Sequence, residues 1–272
     1  MGTLKVKQLT GNIGAEIGGI QLADEHDDDT IAEVRALLLE HKVIFFRSQR
    51  NLSPERHIAF GRRFGELEVH PLTPKDQKHP ELFRIPTGGK YGGPDVWHSD
   101  VTWRPEPSMG SILAIRKLPP VGGDTVWCDM ALAYDMLPSD IQEQIDGLTA
   151  MHDFTRVFGY AATEEQRAKM REEHPSQEHP VVRTHPETGK KGLYVNVAFT
   201  ERIVGMGEEE GRKLLRLLYR QAHFPEHQCR LRWRPNTIAF WDNRSTQHYA
   251  VSDYWPAVRV MERVTVVGDR PF

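Results

Sequence analysis

The stretch Val96-Trp97-His98-Ser99-Asp100-Val101 places an imidazole and a carboxylate two residues apart. In an extended segment, residues i and i+2 point to the same face, so His98 and Asp100 can coordinate one metal ion from the same side. A second imidazole, His248, follows far downstream and would complete a set of two histidines and one carboxylate. That set is typical of non-haem Fe(II) oxygenases, because it leaves coordination positions open for oxygen and an organic co-substrate.

The spacing of His98 and Asp100 is not specific by itself. The chain has 13 histidines and 38 acidic residues, so a histidine followed two residues later by an aspartate is expected by chance. A second such triplet, His26-Asp27-Asp28, lies in an acidic, polar run and is interpreted as a solvated turn. His98 and Asp100 could equally form a satisfied structural pair, and the choice depends on other parts of the chain.

The segment from Arg259 to Gly268 has the alternation of a strand. Arg259, Met261, Arg263 and Thr265 fall on one face. The two arginines lie roughly 13 Å apart at about 3.3 Å per residue. If this face points into a barrel, each buried guanidinium needs an anion, and its planar fork suits carboxylate and sulfonate or sulfate oxygens. The alternative is an outward-facing strand with solvated arginines.

Composition excludes several classes of function. The 272 residues carry a net charge of −3, which argues against a nucleic-acid or membrane-surface partner attracted by bulk charge. No apolar run approaches the roughly 18 residues of a membrane span, and the first residues lack the apolar core of a signal peptide. The two cysteines, Cys128 and Cys229, indicate reduced thiols rather than a disulfide framework, so we expect a cytoplasmic protein.

The element pattern predicts one domain spanning residues 1–272, without repeats or low-complexity linkers. Helices are predicted from a capping box at Thr30, from Ser53-Pro54 to Gly65, and from Glu208 to Ala222. Strands are predicted near Val43–Arg47, Ser111–Lys117, Thr125–Cys128, Leu193–Asn196, Arg230–Trp233 and Thr237–Trp241. Many short strands with a few flanking helices predict an α+β, mainly β fold with a double-stranded β-helix (jelly-roll) core.

Residues 155–178 are interpreted as an insertion at the mouth of the barrel. A charged stretch from Thr163 to His174 has capping-box spacing but little apolar face, so it is too polar for a core helix. The insertion could be a lid over the site or a plain surface excursion.

Several ordered motifs together resemble the taurine/2-oxoglutarate dioxygenase family over nearly the whole chain. They are Lys42–Arg47, Phe64–Pro71, Trp97–Thr102, Gly122–Thr125, His179–Pro186, Trp241–Arg244 with Thr246–His248, and Gly268–Phe272. The resemblance implies that His98, Asp100 and His248 bind Fe(II), and that 2-oxoglutarate and molecular oxygen are the co-substrates. It also implies that Arg259 and the Thr125 hydroxyl hold the far carboxylate of 2-oxoglutarate.

The resemblance further implies a small anionic organic substrate. Arg263 and His70 match positions that hold a sulfonate, together with the backbone N–H of Val101, and Phe158 and Phe199 match aromatic wall positions. The aromatics could instead be ordinary core residues. The amine end of the taurine pocket departs from the family: Thr73 replaces a tyrosine, Val157 replaces a serine, and an asparagine has no counterpart near Pro94 and Asp95.

The reaction implied is oxidative decarboxylation of 2-oxoglutarate to succinate and CO2, coupled to hydroxylation of the carbon next to a sulfonate, as in taurine catabolism. The hydroxylated product then releases sulfite and an aldehyde. An alternative within the family is cleavage of alkyl sulfate esters or aryloxyalkanoates. A third hypothesis is a metal-binding jelly-roll protein without oxygenase activity, whose site is dead or holds zinc. A homo-oligomer, dimer or tetramer, is a family-level expectation.

Overall fold

In the computed structural model, the described residues (4–70, 73, 78–88 and 96–272) form fifteen strands and seven α-helices. The strands are β1 (Lys5–Gln8), β2 (Ala15–Gly18), β3 (Val43–Phe46), β4 (Phe83–Gly88), β5 (Gly110–Lys117), β6 (Thr125–Asp129), β7 (Thr149–His152), β8 (Gln177–Pro180), β9 (Val182–Thr184), β10 (Lys191–Leu193), β11 (Thr200–Ile203), β12 (Gln228–Leu231), β13 (Ile238–Asp242), β14 (Thr246–Ala250) and β15 (Val258–Val266). The helices are α1 (Asp28–His41), α2 (Pro54–Arg62), α3 (Met130–Asp135), α4 (Ser139–Ile145), α5 (Thr155–Phe158), α6 (Glu164–Glu173) and α7 (Glu208–Arg220).

Two facing sheets form the centre of the fold. The main sheet has seven strands in the order β1-β2-β3-β13-β5-β15-β4, and a second sheet has the order β12-β6-β14. Apolar side chains from both sheets, among them Phe45, Trp127 and Trp241, belong to one buried cluster. The described sheets therefore pack face to face, as the jelly-roll prediction requires.

Helices cover the outer faces of both sheets. Along β3, Val43 and Phe45 lie between the sheets, while Ile44 and Phe46 pack in a second cluster with α1 and α2. Successive side chains of a strand point to opposite faces, so burial of both faces explains this unbroken apolar run. On the far side, Leu214, Leu215 and Leu218 of α7 pack in a cluster with Val126 and Cys128 of β6.

Strand β15 turns its arginines inward, which is one of the two orientations that the sequence left open. Met261 belongs to the cluster between the sheets, whereas Val264 and Val266 belong to the outer cluster with α2. Because side chains alternate, Arg259 and Arg263 share the inner face with Met261. Both arginines are buried, which rules out the solvated alternative.

Several element boundaries differ from the predictions. The strand predicted near Leu193–Asn196 is β10 (Lys191–Leu193), so only Leu193 of that segment lies in a strand. Helix α1 begins at Asp28 rather than at Thr30, because the Asp27 side chain caps it by accepting from the Thr30 N–H at 2.9 Å. Helix α2 begins at Pro54 after a Ser53 cap, as predicted, but ends at Arg62 rather than at Gly65. Strand β12 is shifted two residues towards the N-terminus of the predicted segment, because its pairing with β6 sets Leu231 opposite Thr125.

None of the helices in the described part of the chain combines the length and the apolar character needed to cross a bilayer. Cys128 and Cys229 are buried free thiols, in agreement with the sequence.

Candidate active site

A short β-bridge brings the two ends of the predicted metal set together. The His98 N–H donates to the His248 carbonyl at 3.1 Å, and the His248 N–H donates to the His98 carbonyl at 2.8 Å. The two imidazole centroids are consequently 4.1 Å apart. His248 lies on β14, while His98 precedes β5 by more than ten residues, so long-range pairing rather than proximity in sequence makes them neighbours.

His98, Asp100 and His248 form a compact, buried group of potential metal ligands. One ligand atom from each lies within 4.8 Å of the others. Two neutral imidazole nitrogens and one carboxylate oxygen are the donor set that suits Fe(II) and leaves coordination positions open. The structure thus brings together the three residues that the sequence singled out.

The two imidazoles are in the state that metal binding requires. The Nδ1 of His98 lies 2.8 Å from the Val96 carbonyl, which can only accept, so Nδ1 carries the proton and Nε2 is left for a metal. Burial lowers the pKa of His248 to about 3, so this ring is neutral at physiological pH. Its Nδ1 has no hydrogen-bond partner among the described residues.

The Asp100 carboxylate is held as an anion by three kinds of contact. Arg263 Nη1 donates to Oδ1 at 2.9 Å, and the Ser111 hydroxyl donates to Oδ2 at 3.2 Å. Burial opposes ionisation, but the charge of Arg263 and the hydrogen bond from Ser111 outweigh it and leave the pKa of Asp100 well below its usual range. The described structure thus joins the predicted substrate arginine directly to the predicted metal ligand.

Arg259 and Thr125 have the features of a carboxylate site. Arg259 is buried, its Nη1 donates to the Gly123 carbonyl at 2.8 Å, and its Nε has no partner among the described residues. The Thr125 hydroxyl accepts from Trp233 Nε1 at 3.0 Å, which leaves its own proton to donate. A buried guanidinium with an unpaired N–H calls for an anion, and the far carboxylate of 2-oxoglutarate fits this need.

The predicted aromatic wall is present and larger than the sequence indicated. Phe158 and Phe199 stack with centroids 6.4 Å apart. Phe199 shares a buried cluster with Val101, Trp103 and Phe154. Phe154 stacks on Phe158 at 4.5 Å. Trp103 and Phe154 were missed because nothing in their local sequence distinguishes them from core aromatics.

His70 lies beside the same wall. Its ring stacks on Phe83 at 4.4 Å and meets Phe158 at 6.4 Å. The Arg263 side chain lies over the Phe83 ring, with its guanidinium carbon 5.8 Å from the ring centroid. Burial, and then the charge of Arg263, lower the pKa of His70 to about 4, so the ring is neutral and offers one N–H.

Some of the residues that differ from the family at the amine end of the taurine pocket lie within the described part of the chain, and others do not. Thr73 is buried, and its hydroxyl has no partner among those residues. Val157 packs with the aromatic wall. Pro94 and Asp95 lie outside the described residues.

The insertion at residues 155–178 packs on this wall. It contains α5 and α6, and Thr163 forms the predicted capping box. Met170 of α6 packs against the aromatic cluster. Buried Asp153 fastens the insertion to β7, because it accepts from Arg171 Nε at 2.8 Å and from the Ser176 hydroxyl at 2.9 Å.

Comparison with known proteins agrees with this geometry. A family model described as "Taurine catabolism dioxygenase TauD, TfdA family" matches residues 5–265. An alkylsulfatase of Acinetobacter baylyi is 37% identical, over 98% of this chain and 86% of the relative. An alpha-ketoglutarate-dependent sulfate ester dioxygenase of Pseudomonas putida is 36% identical, over 98% of this chain and 91% of the relative.

Among solved structures, a taurine dioxygenase from Burkholderia xenovorans superposes with a TM-score of 0.86 at 39% identity, over 99% of this chain and 91% of that one. Three observations agree on the family: two sheets face each other, a buried set of potential metal ligands is present, and the family model matches almost the entire chain. The chain therefore belongs to the taurine catabolism dioxygenase TauD, TfdA family and is an Fe(II)-dependent dioxygenase that uses 2-oxoglutarate and molecular oxygen.

Proposed function

We propose that the enzyme hydroxylates the carbon that bears a sulfate ester on an apolar chain. An alkyl sulfonate is the second candidate, because a solved structure of a taurine dioxygenase is 39% identical. Two relatives at 37% and 36% identity are named for alkyl sulfate or sulfate ester chemistry, and this reverses the order that the sequence alone suggested. Both substrate classes carry an anionic oxygen–sulfur head group.

One observation carries the proposal: the buried Arg263 contacts both Asp100 of the metal set and the aromatic ring of Phe83. Its Nη1 contacts Asp100, its Nε has no partner among the described residues, and its guanidinium carbon lies 5.8 Å from the centroid of the Phe83 ring. An anionic head group on Arg263 would place the adjacent carbon near the metal, with its apolar tail against the wall. The neutral His70 would add one N–H, and the Val101 N–H a second.

The other site residues have complementary roles in this proposal. His98 Nε2, Asp100 and His248 hold Fe(II), and Arg259 with Thr125 holds the far carboxylate of 2-oxoglutarate. The bound metal supplies oxygen activation coupled to decarboxylation of 2-oxoglutarate to succinate and CO2. Phe158 and Phe199 exclude water from the reacting carbon.

The products follow from the hydroxylated carbon. For a sulfate ester, that carbon bears both a hydroxyl and the sulfate group. The C–O bond to sulfate breaks, sulfate leaves with the electron pair, and the hydroxyl loses its proton to give an aldehyde. For a sulfonate, the C–S bond breaks and sulfite leaves in the same way. No side-chain base is required, since the leaving group departs as a stable anion.

The pocket favours an apolar tail over a primary amine. Val157 and the aromatic cluster offer no hydrogen-bond acceptor to an ammonium group, and burying that charge unpaired costs far more than the roughly 1–3 kcal/mol of an unpaired neutral polar group. We therefore expect hexyl sulfate and hexanesulfonate to be better substrates than taurine.

The test is a panel of hexyl sulfate, hexanesulfonate, taurine and phenoxyacetate, with succinate, sulfate, sulfite and phenol measured. We expect sulfate from hexyl sulfate with the highest kcat/KM. A preference for taurine of more than about tenfold, roughly 1.4 kcal/mol of transition-state discrimination, would contradict the proposal. Release of phenol alone would assign the enzyme to aryloxyalkanoates.

Three further features are part of the proposal. The 155–178 insertion acts as a lid, supported by its contact with the aromatic wall. The protein is cytoplasmic, supported by its two buried free thiols. It forms a dimer or tetramer, which light scattering in solution would test.

A further inference from the structure

The turn after the first two metal-ligand candidates has an unusual backbone. Val101 adopts a φ of 49°, in the left-handed region that a β-branched residue rarely occupies. Such a conformation costs on the order of 1–3 kcal/mol and persists only where surrounding contacts fix it. The contacts that fix this turn are therefore of functional interest.

Asn243 holds the turn on the side of the metal set. Its Oδ1 accepts from the Asp100 N–H at 2.8 Å, and its Nδ2 donates to the Asp100 carbonyl at 3.0 Å. The same Nδ2 lies 3.2 Å from both the carbonyl and the hydroxyl oxygen of Ser108. Asn243 is 1% exposed, so these bonds are shielded from water. One amide thus fixes both backbone polar groups of the residue that offers the carboxylate.

Asn196 holds the other end of the turn. Its Nδ2 donates to the Thr102 hydroxyl at 3.1 Å, and its Oδ1 accepts from the Phe199 N–H at 2.9 Å. It is completely buried. This single side chain therefore joins the segment that follows Val101 to the segment that carries Phe199 of the aromatic wall.

The Thr102 hydroxyl also contacts a buried histidine, His152. Because the Thr102 hydroxyl accepts from Asn196, its own proton is free to go to His152 Nδ1, 2.9 Å away. Burial keeps the pKa of His152 well below its ordinary value, with His179 and Arg156 adding to the effect. The ring is neutral and can accept. In this arrangement the Thr102 hydroxyl accepts one hydrogen bond, from Asn196, and donates one, to His152.

We propose that Asn243 and Asn196 are positioning residues with separate tasks at the two ends of this turn. Asn243 sets the Asp100 carboxylate for the metal. Asn196 sets Val101 against Phe199, and so fixes the width of the pocket at the reacting carbon. The proposal rests on the proposed function, because it takes Asp100 as a metal ligand and Val101 with Phe199 as substrate contacts.

The separation of tasks follows from which atoms each amide contacts. Asn243 contacts Asp100 and Ser108, and neither belongs to the aromatic wall. Asn196 contacts Thr102 and Phe199, and neither is a ligand candidate. Removing a residue that orients a metal ligand typically lowers metal affinity by about 10–100-fold. Removing a residue with only a packing role would instead lower the stability of the fold, whichever of the two asparagines is changed.

The first experiment measures Mn(II) affinity by electron paramagnetic resonance, without turnover. Asn243→Ala should raise the Kd for Mn(II) by about 10–100-fold. Ser108→Ala is the matched control, because it removes one partner of the amide and leaves both bonds to Asp100; its Kd should stay within about threefold. Asn243→Ser serves as the milder variant if Asn243→Ala does not fold. An unchanged Kd in a folded Asn243 variant overturns the role of Asn243.

The second experiment uses hexyl sulfate and hexanesulfonate with the intact enzyme. Asn196→Ala and Thr102→Val should bind Mn(II) as the wild type does, but should raise KM and form more succinate per sulfate or sulfite released. Thr102→Ser keeps the hydroxyl and should restore both values. The separation of tasks is overturned if Asn196→Ala leaves unchanged both KM and the succinate formed per sulfate or sulfite released. It is also overturned if Asn196→Ala loses as much Mn(II) affinity as Asn243→Ala does.

The outcomes also separate this inference from the proposed function. A wild type that binds no Mn(II) overturns the metal site and the role of Asn243 with it. A wild type that binds Mn(II) but oxidises neither probe overturns the proposed substrate class and the role of Asn196. The role of Asn243 is then decided by the first experiment alone.

Discussion

Replacing Arg263 tests the proposed anion site most directly. In Arg263→Gln, the side chain keeps two N–H donors but loses its charge and its fork. We expect kcat/KM for hexyl sulfate to fall strongly. Arg263→Lys keeps a charge but not the planar fork, and should lie between this variant and the wild type.

The size of the effect follows from burial and pairing. Arg263 is 8% exposed and donates to Asp100 at 2.9 Å, so an anion bound to it would be largely desolvated. Removing one partner of a buried, charge-assisted pair costs about 2–5 kcal/mol. At about 1.4 kcal/mol per tenfold, this corresponds to a loss in kcat/KM of about 30- to 5,000-fold.

The assay must separate the lost anion contact from a disturbed metal site, because Arg263 also contacts Asp100. We therefore measure sulfate release, the Kd for Mn(II), and substrate-independent consumption of 2-oxoglutarate in each variant. The expected result is a loss confined mainly to the substrate, with 2-oxoglutarate affinity preserved because Arg259 remains. A kcat/KM for hexyl sulfate within about threefold of wild type in Arg263→Gln would refute the reasoning.

The remaining predictions concern other parts of the site and the fold. Arg259→Ala should raise the Kd for 2-oxoglutarate by about 30- to 5,000-fold, corresponding to 2–5 kcal/mol, and calorimetry showing no change would mean that another cation binds it. His248→Ala should abolish Fe(II) binding and turnover while circular dichroism shows an intact fold, and retained activity would disprove the proposed ligand set. Arg171→Ala removes a tie between the insertion and Asp153, so it should speed proteolysis within residues 155–178 and raise KM, whereas unchanged values would contradict the lid. Burial lowers the pKa of His57 to about 3, below the roughly 6.5 of the unfolded chain, so the unfolded state binds the extra proton. As the pH falls from about 6.5 to about 3, His57 should therefore contribute a loss of up to about 1.4 kcal/mol per pH unit to the free energy of unfolding, and urea titrations of His57→Gln should show a pH dependence that is shallower by that amount.

Much of the site could be predicted from the sequence because its chemistry is local. His98 and Asp100 share one face through a two-residue spacing, and alternation along the strand predicts a common face for Arg259 and Arg263. The caps of α2 and α6 likewise depend on residues within one helical turn. Such features require no knowledge of distant neighbours.

The positions that the sequence left open depend on distant contacts. The polar partners of Asp100, namely Ser111, Asn243 and Arg263, are 11, 143 and 163 residues away along the chain. Trp103 and Phe154 resemble any core aromatics in sequence, and only the tertiary structure shows that they pack in one cluster with Phe199. The start of α1 was misplaced because Asp27 and Thr30 are both residue types that cap helices, and the Asp27 side chain is the one that accepts from a first-turn N–H, that of Thr30.

The sequence by itself therefore determined that His98 and Asp100 share one face and that Arg259 and Arg263 share another, and it predicted a fold of many short strands, because short-range periodicity encodes side-chain direction and strand character. The metal and anion roles of these residues were inferred from the family resemblance. Only the tertiary structure decided how these groups meet. The pairing of β14 with the His98 segment places one ligand beside the other two, and the inward face of β15 brings Arg263 within 2.9 Å of Asp100. Strand register is set by cooperative packing of the whole core, and no local pattern contains that information.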